Sequence, residues 1–289
     1  MSFSSPQASL APRPRSFEEL ARLGDVELDL ATGAALIAKD VYGSVDVDAL
    51  LLRLAELASP FTPSDFVDLP GRAQAEKLVR HVHDHLGFRG NTSEPQDPRN
   101  SLVPDVLQRR TGIPISLALV YTEVARVVAV RARGVGFPGH YLVRVDDLSS
   151  TPEAPAALID PLEGRLLDRP ATEALLRRAL GEKAVLAPFH LVPASARGTL
   201  VRMLTNLKTV YLARRDLPRA HLALDRIVSL TPNATPALRE RGLLAARLGA
   251  VAAARADFER VLELEPGAAD AQVLRTHLAR LSPSRSNLN

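Results

Sequence analysis

The chain has 289 residues, 46% hydrophobic and 24% charged, which is enough to build at least one complete hydrophobic core. It contains no cysteine, so disulfides, thiolate metal sites and cysteine catalysis are excluded. The net charge is +3, and the Arg residues are interspersed with Asp and Glu, so no basic patch for nucleic acid is expected. With four Tyr, eight Phe and no Trp, no base-stacking surface is expected either.

Both ends of the chain have the composition of disordered tails, in residues 1–15 and 282–289, where Ser and Pro are frequent and no apolar period is present. No window approaches the roughly 18 apolar residues that span a membrane, and the first residues lack the apolar core of a signal peptide. We therefore predict a cytoplasmic protein that does not contact a membrane.

Helical spacing begins directly after the first tail. Apolar residues recur every three or four positions in residues 16–60, which predicts three short helices, and Ser16 with Glu19 forms a capping-box pair that begins the first one. A further helix is predicted from Gly71 to Leu86, and Gly87 ends it.

Three histidines, His81, His83 and His85, lie near the end of that last helix. His81 and His85 are four positions apart, so they share a helix face and could bind Zn or Ni, while His83 points elsewhere. A solvated helix end explains them better, because histidines are favourable near a helix C-terminus and no Cys lies nearby. We favour this second interpretation and predict neither a metal nor another cofactor.

A loop dense in Gly, Asn and Pro precedes a helix that is apolar all round. The run Gly112–Val130 predicts this buried helix, with Thr111 as its N-cap and Pro114 near its first turn. The loop lacks the Lys and the glycine spacing of phosphate-binding loops, so we interpret Asn91 and Asn100 as residues that fix its shape and could line a pocket.

Two β-strands follow the buried helix. HYLVRV alternates between two faces from His140 to Val145, and AALID ends at Asp160; the Pro-rich loop SSTPEAP joins them, and residues 171–181 are helical in pattern. The order helix, His, Asp is that of papain-type and transglutaminase-type catalysis. In those enzymes a thiolate sits at a helix N-terminus, His is the base and a carboxylate orients the His.

The sequence of this segment is similar to that of one known family. RNSLVPDVLQRRTGIPISLALVYTEVAR, GVGFPGHYLVRV and LIDPLEGRLLD resemble the bacterial SirB family of transglutaminase-like proteins, which commonly carry C-terminal tetratricopeptide repeats. The resemblance spans Phe17 to Leu281. It implies a papain-like core in which His140 matches the catalytic His and Asp160 matches the orienting acid.

The resemblance also implies where the nucleophile should stand, and that position holds a proline. In active members of the superfamily the Cys lies two residues after a Gly and about twelve before an Arg. Here the position two residues after Gly112 and twelve before Arg126 is Pro114. Ser116 is the hydroxyl near this helix start. Two helical positions rotate a side chain by about 200°, so Ser116 should point away from the slot unless the first turn is not helical.

We expect the His and Asp of this relic triad to persist as a structural hydrogen bond or at the centre of a binding pocket. Further candidates for that pocket are Asn91, Arg99, Asn100, Tyr121 and Arg144.

The last third of the chain changes to Ala, Leu and Arg helices with an internal repeat. Pro232 and Pro266 are 34 residues apart, which is the tetratricopeptide period. We expect two copies and a capping helix over 269–281. Small residues fall where paired helices cross closely: Ala220, Gly242 and Ala254.

Together these patterns predict an α+β, mostly helical protein with a small antiparallel sheet. The expected organisation is a transglutaminase-like domain over 16–196, with a helical part over 16–90 and a core over 91–196. The repeats follow over 197–281. We expect a non-catalytic module that binds a protein or peptide. Alternatives are a hydrolase or acyltransferase using Ser116 or a water activated by His140, and, third, a metal-dependent activity of the histidine cluster.

Overall fold

The computed structural model describes residues 12–147 and 156–281. The predicted tails lie outside these ranges except for residues 12–15, and so does the Pro-rich loop over 149–155. The described residues form twelve α-helices and six short strands, which confirms the α+β, mostly helical class.

Four helices form the N-terminal part: α1 (Phe17–Ala21), α2 (Leu30–Tyr42), α3 (Val47–Glu56) and α4 (Gly71–Val79). Ser16 Oγ accepts the Glu19 N–H at 3.2 Å, as predicted, while the Glu19 carboxylate accepts the N–H of Arg15 at 2.7 Å. The chain continues from α4 into a π-helical turn, Arg80–His85, and Gly87 ends it with a φ of 75° that favours glycine.

The middle of the chain holds α5 (Val103–Arg109), α6 (Pro114–Val127) and two short parallel strands, β1 (Arg89–Gly90) and β2 (Thr111–Gly112). Pro114 is the first residue of α6, where its missing N–H costs nothing. The prediction that Thr111 is the N-cap is wrong: Thr111 lies in β2, and its hydroxyl donates to Arg109 O at 3.0 Å. Ile113 stands at the N-cap, where its N–H donates to Ser116 Oγ at 3.1 Å.

An antiparallel meander follows, β3 (Ala132–Val135), β4 (Leu142–Val145), β5 (Ala157–Asp160) and β6 (Arg165–Leu167), and then α7 (Arg169–Leu180). Both faces of this sheet are buried, so successive residues of a strand point alternately into two different hydrophobic clusters. Val143 and Ile159 face the main core with α6, whereas Leu142, Leu158 and Leu176 of α7 belong to a smaller cluster on the other face.

The C-terminal helices are α8 (Ala196–Ala213), α9 (Leu217–Leu230), α10 (Thr235–Arg247), α11 (Val251–Leu264) and α12 (Ala271–Leu281). They pack as successive pairs, α8 with α9 and α10 with α11. Ala220 and Ala254 are fully buried at the predicted crossings. Gly242 lies so near Phe258 that a Cβ atom there would be 2.6 Å from the ring.

The hydrophobic core does not stop where the repeats begin. One continuous cluster extends from Phe17 in α1 to Leu244 in α10 and includes the inward faces of α8 and α9. Arg226 of α9 donates to Asp40 at 2.6 Å and also pairs with Glu18. A second cluster around Phe258 holds α10, α11 and α12 together. Across residues 12–147 and 156–281, no helix is long and apolar enough to cross a membrane.

Candidate functional site

His140 lies in a tight turn two residues before β4. Its N–H donates to Phe137 O at 3.0 Å, with Pro138 and Gly139 at the centre of the turn and a positive φ of 66° at Gly139. Pro followed by Gly is the sequence preference of such a turn, so FPGH itself fixes the place of the imidazole.

Asp160 is the last residue of β5 and begins the hairpin to β6. Gly164 closes that hairpin by donating its N–H to Asp160 O at 2.9 Å. The carboxylate is buried, and its Oδ1 accepts the N–H of Leu162 at 3.0 Å and that of Glu163 at 3.4 Å. A buried carboxylate is thereby held by two backbone donors.

The two side chains meet as predicted, with His140 Nε2 2.8 Å from Asp160 Oδ1. Burial by itself raises the pKa of the Asp160 carboxyl group, but the hydrogen bonds from His140 and the backbone outweigh it, so the pKa lies below its ordinary value. An ionised carboxylate only accepts, so Nε2 donates. The other ring nitrogen, Nδ1, makes no hydrogen bond to a described residue.

Helix α8 contacts the chain at His140 and at the residue that follows it. Arg202 of α8 donates from a guanidinium nitrogen to His140 O at 3.0 Å. The next side chain, Tyr141, places its buried hydroxyl 2.7 Å from Thr199 Oγ1, also on α8. The carbonyl group of His140 and the side chain of the next residue are therefore both held by helix α8.

His140 and Asp160 open onto a cleft of about 540 Å³. Its walls combine apolar side chains from the turn, the hairpin and α7 with charged side chains at the rim. The lining residues are Pro138, Gly139, His140, Asp160, Leu162, Glu163, Arg165, Leu175, Arg178 and Ala179. The cleft suits a ligand that is partly aliphatic and partly charged.

The start of α6 lies beside this hairpin and carries no thiol. Gly112 pairs with Gly90 in the small parallel sheet, and the Gly90 N–H donates to Leu162 O at 3.2 Å. Ser116 is buried, and its hydroxyl donates to Asn100 O at 2.6 Å. That hydroxyl is a cap for the helix start and is not hydrogen-bonded to the histidine.

The predicted loop residues make contacts within the loop. Asn91 Nδ2 donates to Asn100 Oδ1 at 3.0 Å, and Asn100 Nδ2 donates to Glu94 O at 2.8 Å. Arg99 pairs with Asp97 at 2.8 Å. Asn91 and Asn100 thus fix the loop, and none of these three predicted residues lines the cleft.

Arg144 and Tyr121 also lie away from the cleft walls. Arg144 on β4 donates to Asp146 at 2.7 Å and to Leu191 O at 3.2 Å, which joins the sheet to the segment before α8. Tyr121 is fully buried, and its hydroxyl has no hydrogen-bond partner among the described residues. Burial, with the negative charges of Asp84 and Asp160, raises the pKa of this phenol.

The expectation that the histidine cluster lies at a solvated helix end is wrong for His81, which is buried, whereas His85 is exposed. His81 is buried with Nε2 2.6 Å from Leu57 O, and His83 Nδ1 lies 3.0 Å from Asp84 Oδ1. The His83 ring covers the Asp160 hairpin, since a Cβ at Gly164 would lie 2.0 Å from it. In the part of the chain that the structure describes, no group of three or more His, Cys, Asp or Glu side chains could hold a metal ion.

Sequence reasoning missed the charged residues of the cleft rim, Glu163, Arg165 and Arg178. Arg165 stands opposite Asp160 in the backbone register of the β5–β6 hairpin, without an ion pair between the two side chains, so the short turn in IDPLEGR carries a signal for its position. Arg178 is brought to the rim by the packing of α7 on the sheet, for which no local pattern exists.

The comparisons with known proteins agree with this architecture. Residues 46–205 match the model of the transglutaminase-like superfamily, and residues 207–279 match a tetratricopeptide repeat model. A UPF0162 protein of Xylella fastidiosa is 38% identical over 279 residues, which cover 93% of this chain and 95% of the relative. One of Pseudomonas aeruginosa is 35% identical over 213 residues, 74% of this chain and 76% of the relative.

The fold is therefore that of a transglutaminase-like domain followed by tetratricopeptide repeats. The chain belongs to the UPF0162 family, which agrees with the SirB-type resemblance of its motifs. A solved structure of menin aligns with a TM-score of 0.41 at 9% identity, over 95% of this chain and 76% of that one.

Proposed function

We propose that this protein binds a protein or peptide partner without chemical turnover, through the cleft of His140 and Asp160 and through the repeat helices. The observation that carries the proposal is a retained His–Asp pair on an open cleft in a chain without cysteine. The proposed place of action is the cytoplasm, and cell fractionation should recover the protein there.

The surroundings of the helix start support loss of catalysis. Pro114 offers no nucleophile, and the Ser116 hydroxyl, the alternative, donates to the backbone carbonyl of Asn100. A serine acting as nucleophile needs its hydroxyl within hydrogen-bonding reach of a base. Moving Ser116 towards His140 would break two hydrogen bonds of a buried side chain.

A groove between α8 and α10 supports the binding part of the proposal. It has a volume of about 340 Å³, and its walls include Leu212 and Leu243, which are 39% and 40% exposed. Lys208 and Glu240 form an ion pair across it, and Arg247 stands at its edge. Partly exposed aliphatic side chains in a concave surface are favourable for a peptide segment.

A second candidate is a hydrolase in which His140 activates a water molecule, or an acyltransferase in which it activates the acceptor of the acyl group. The observation in its favour is that Nδ1 is not engaged by a described residue while Asp160 holds Nε2. A histidine oriented by a carboxylate is the arrangement of a general base.

The test presents a library of short linear peptides to the purified full-length protein and identifies the bound peptides by mass spectrometry. Ala179→Trp should fill the cleft and Leu243→Glu should charge the groove, so each should abolish a subset of the bound peptides. Ala174→Trp, at an exposed position of the same helix α7, and Leu248→Glu, at an exposed position after α10, are the matched controls and should change nothing.

We expect the bound peptides to be recovered intact. Hydrolysed or acylated peptides whose formation His140→Ala abolishes would support the enzyme instead. If neither Ala179→Trp nor Leu243→Glu changes the bound set, the proposed binding surfaces are wrong.

A further inference from the structure

The rim of the cleft carries arginines that no described residue neutralises. Arg165 on β6 and Arg178 on α7 form no ion pair with any residue in the described ranges. Two other arginines of α7 behave differently, because Arg169 and Arg177 pair with Glu173 at 2.9 and 3.1 Å. Glu173 of the helix thus pairs with the two arginines that do not line the cleft, and the guanidinium group of Arg178 at the rim remains able to bind an anion.

The cleft lining holds two acids, of which Asp160 is buried and Glu163 is exposed like the arginines. Asp160 is already held by His140 and by the N–H groups of Leu162 and Glu163. The Glu163 side chain is the remaining carboxylate in the lining, against two guanidinium groups. At the exposed rim, one carboxylate stands against two guanidinium groups, so the rim keeps one positive charge in excess, while the ionised Asp160 lies buried in the cleft.

Arginine also suggests which anion would be bound. Its planar guanidinium matches a carboxylate with two parallel hydrogen bonds, and such charge-assisted bonds are stronger than neutral ones. Aliphatic side chains also line the cleft, namely Pro138, Leu162, Leu175 and Ala179. A carboxylate attached to an aliphatic segment would satisfy the rim and the walls together.

We propose that the cleft recognises a carboxylate on an aliphatic peptide segment, either the C-terminal carboxylate or a Glu or Asp side chain, with Arg165 and Arg178 as its ligands. This inference rests on the proposed function, since it names the chemistry of the peptide that the cleft binds. The aliphatic part of the segment lies against Leu175 and Leu162.

The experiment uses the full-length protein and three fluorescent peptides, measured by anisotropy. The first is a Gly–Ser peptide that ends in two leucines with a free C-terminus, the second is its C-terminal amide, and the third is the amide with Glu between the leucines. We expect the first or the third to bind about tenfold more tightly than the second, since a hydrogen bond to a charged group is lost in the neutral peptide. The comparison of the first with the third identifies the source of the carboxylate.

Substitutions then test the assigned residues. Arg165→Gln and Arg178→Gln should each weaken binding of the charged peptide about tenfold and leave the neutral peptide unchanged. Arg177→Gln removes a neighbouring charge from the same helix but no cleft residue, so it should have no effect. Added salt should weaken only the charged peptide, because the rim is open to solvent.

Equal affinity for the charged and neutral peptides would overturn the carboxylate inference, and so would equal effects of Arg178→Gln and Arg177→Gln. If Ala179→Trp abolishes both bindings in that case, the cleft still binds peptide and the proposed function stands. If no probe binds at millimolar concentration, the carboxylate inference also falls. The library selection with Ala179→Trp then decides separately whether the proposed function falls with it.

Discussion

The tight contact in the second repeat gives a quantitative prediction for Gly242→Ala. A Cβ atom at Gly242 would lie 2.6 Å from Cε1 and 2.9 Å from Cδ1 of Phe258, whose side chain is fully buried. Ordinary contact begins at 3.4 Å, so the ring or the helix would have to move by about 0.8 Å. Overpacking of this kind costs about 1–3 kcal/mol.

Helix propensity acts in the opposite direction. Alanine is favoured over glycine inside a helix by about 1 kcal/mol, so the net destabilisation should be about 1 kcal/mol. For a chain of this size that corresponds to a fall in the melting temperature of about 2–4 °C. Whether Gly242→Ala lowers or raises the free energy of unfolding therefore depends on the contact with the Phe258 ring.

A double-mutant cycle measures that dependence. Phe258→Leu removes the ring edge, and in that background Gly242→Ala should stabilise the protein by up to about 1 kcal/mol. Urea unfolding followed by circular dichroism gives the four free energies of unfolding. If Gly242→Ala stabilises the protein equally with and without the ring, the close crossing of α10 and α11 is wrong.

Three further outcomes are expected at the relic site. Pro114→Cys places a thiol at the first position of α6, and the pKa of this thiol should lie below the free value of about 8.5. It should therefore be alkylated faster than an exposed control cysteine, and His140→Ala should reduce that difference in rate. Equal alkylation rates with and without His140 would mean that Pro114 does not occupy the former nucleophile position. Ser116→Ala should lower the free energy of unfolding by about 1–3 kcal/mol, because Asn100 O loses a buried donor, yet should leave peptide binding unchanged; loss of binding at full stability would indicate a functional hydroxyl. Because the pKa of Asp160 is lowered in the folded state, its ionised form stabilises the protein above the ordinary carboxyl pKa of about 3.9, and this contribution is lost as the pH falls through the lowered value. The stability difference between wild type and Asp160→Asn should therefore be largest near neutral pH and shrink in acid, and a difference that does not vary with pH would contradict this account.

The parts of the site that were predictable are those with local causes. The turn FPGH places His140 through Pro138 and Gly139, and the hairpin that ends in Gly164 places Asp160. Each depends on a few consecutive residues, and the strand pairing then brings the two turns together.

The unpredicted features depend on contacts between segments distant in the chain. Ser116 finds its acceptor at Asn100, 16 positions earlier, and so becomes a helix cap. Thr111 had the residue type of an N-cap, but pairing with Arg89 draws it into a strand. Local preferences could not identify either contact, because the partner is determined by how the loop and helix α6 pack.

Helix α8 has a consequence for how such a protein could change its number of repeats. Its residues Thr199 and Arg202 hold the turn of His140, and its inward face is part of the main core. Insertion or loss of a repeat unit at this junction would remove the support of the histidine as well as part of the core. Duplication after α9 would extend the array without disturbing either. Variation in repeat number among such proteins should therefore be confined to the C-terminal end.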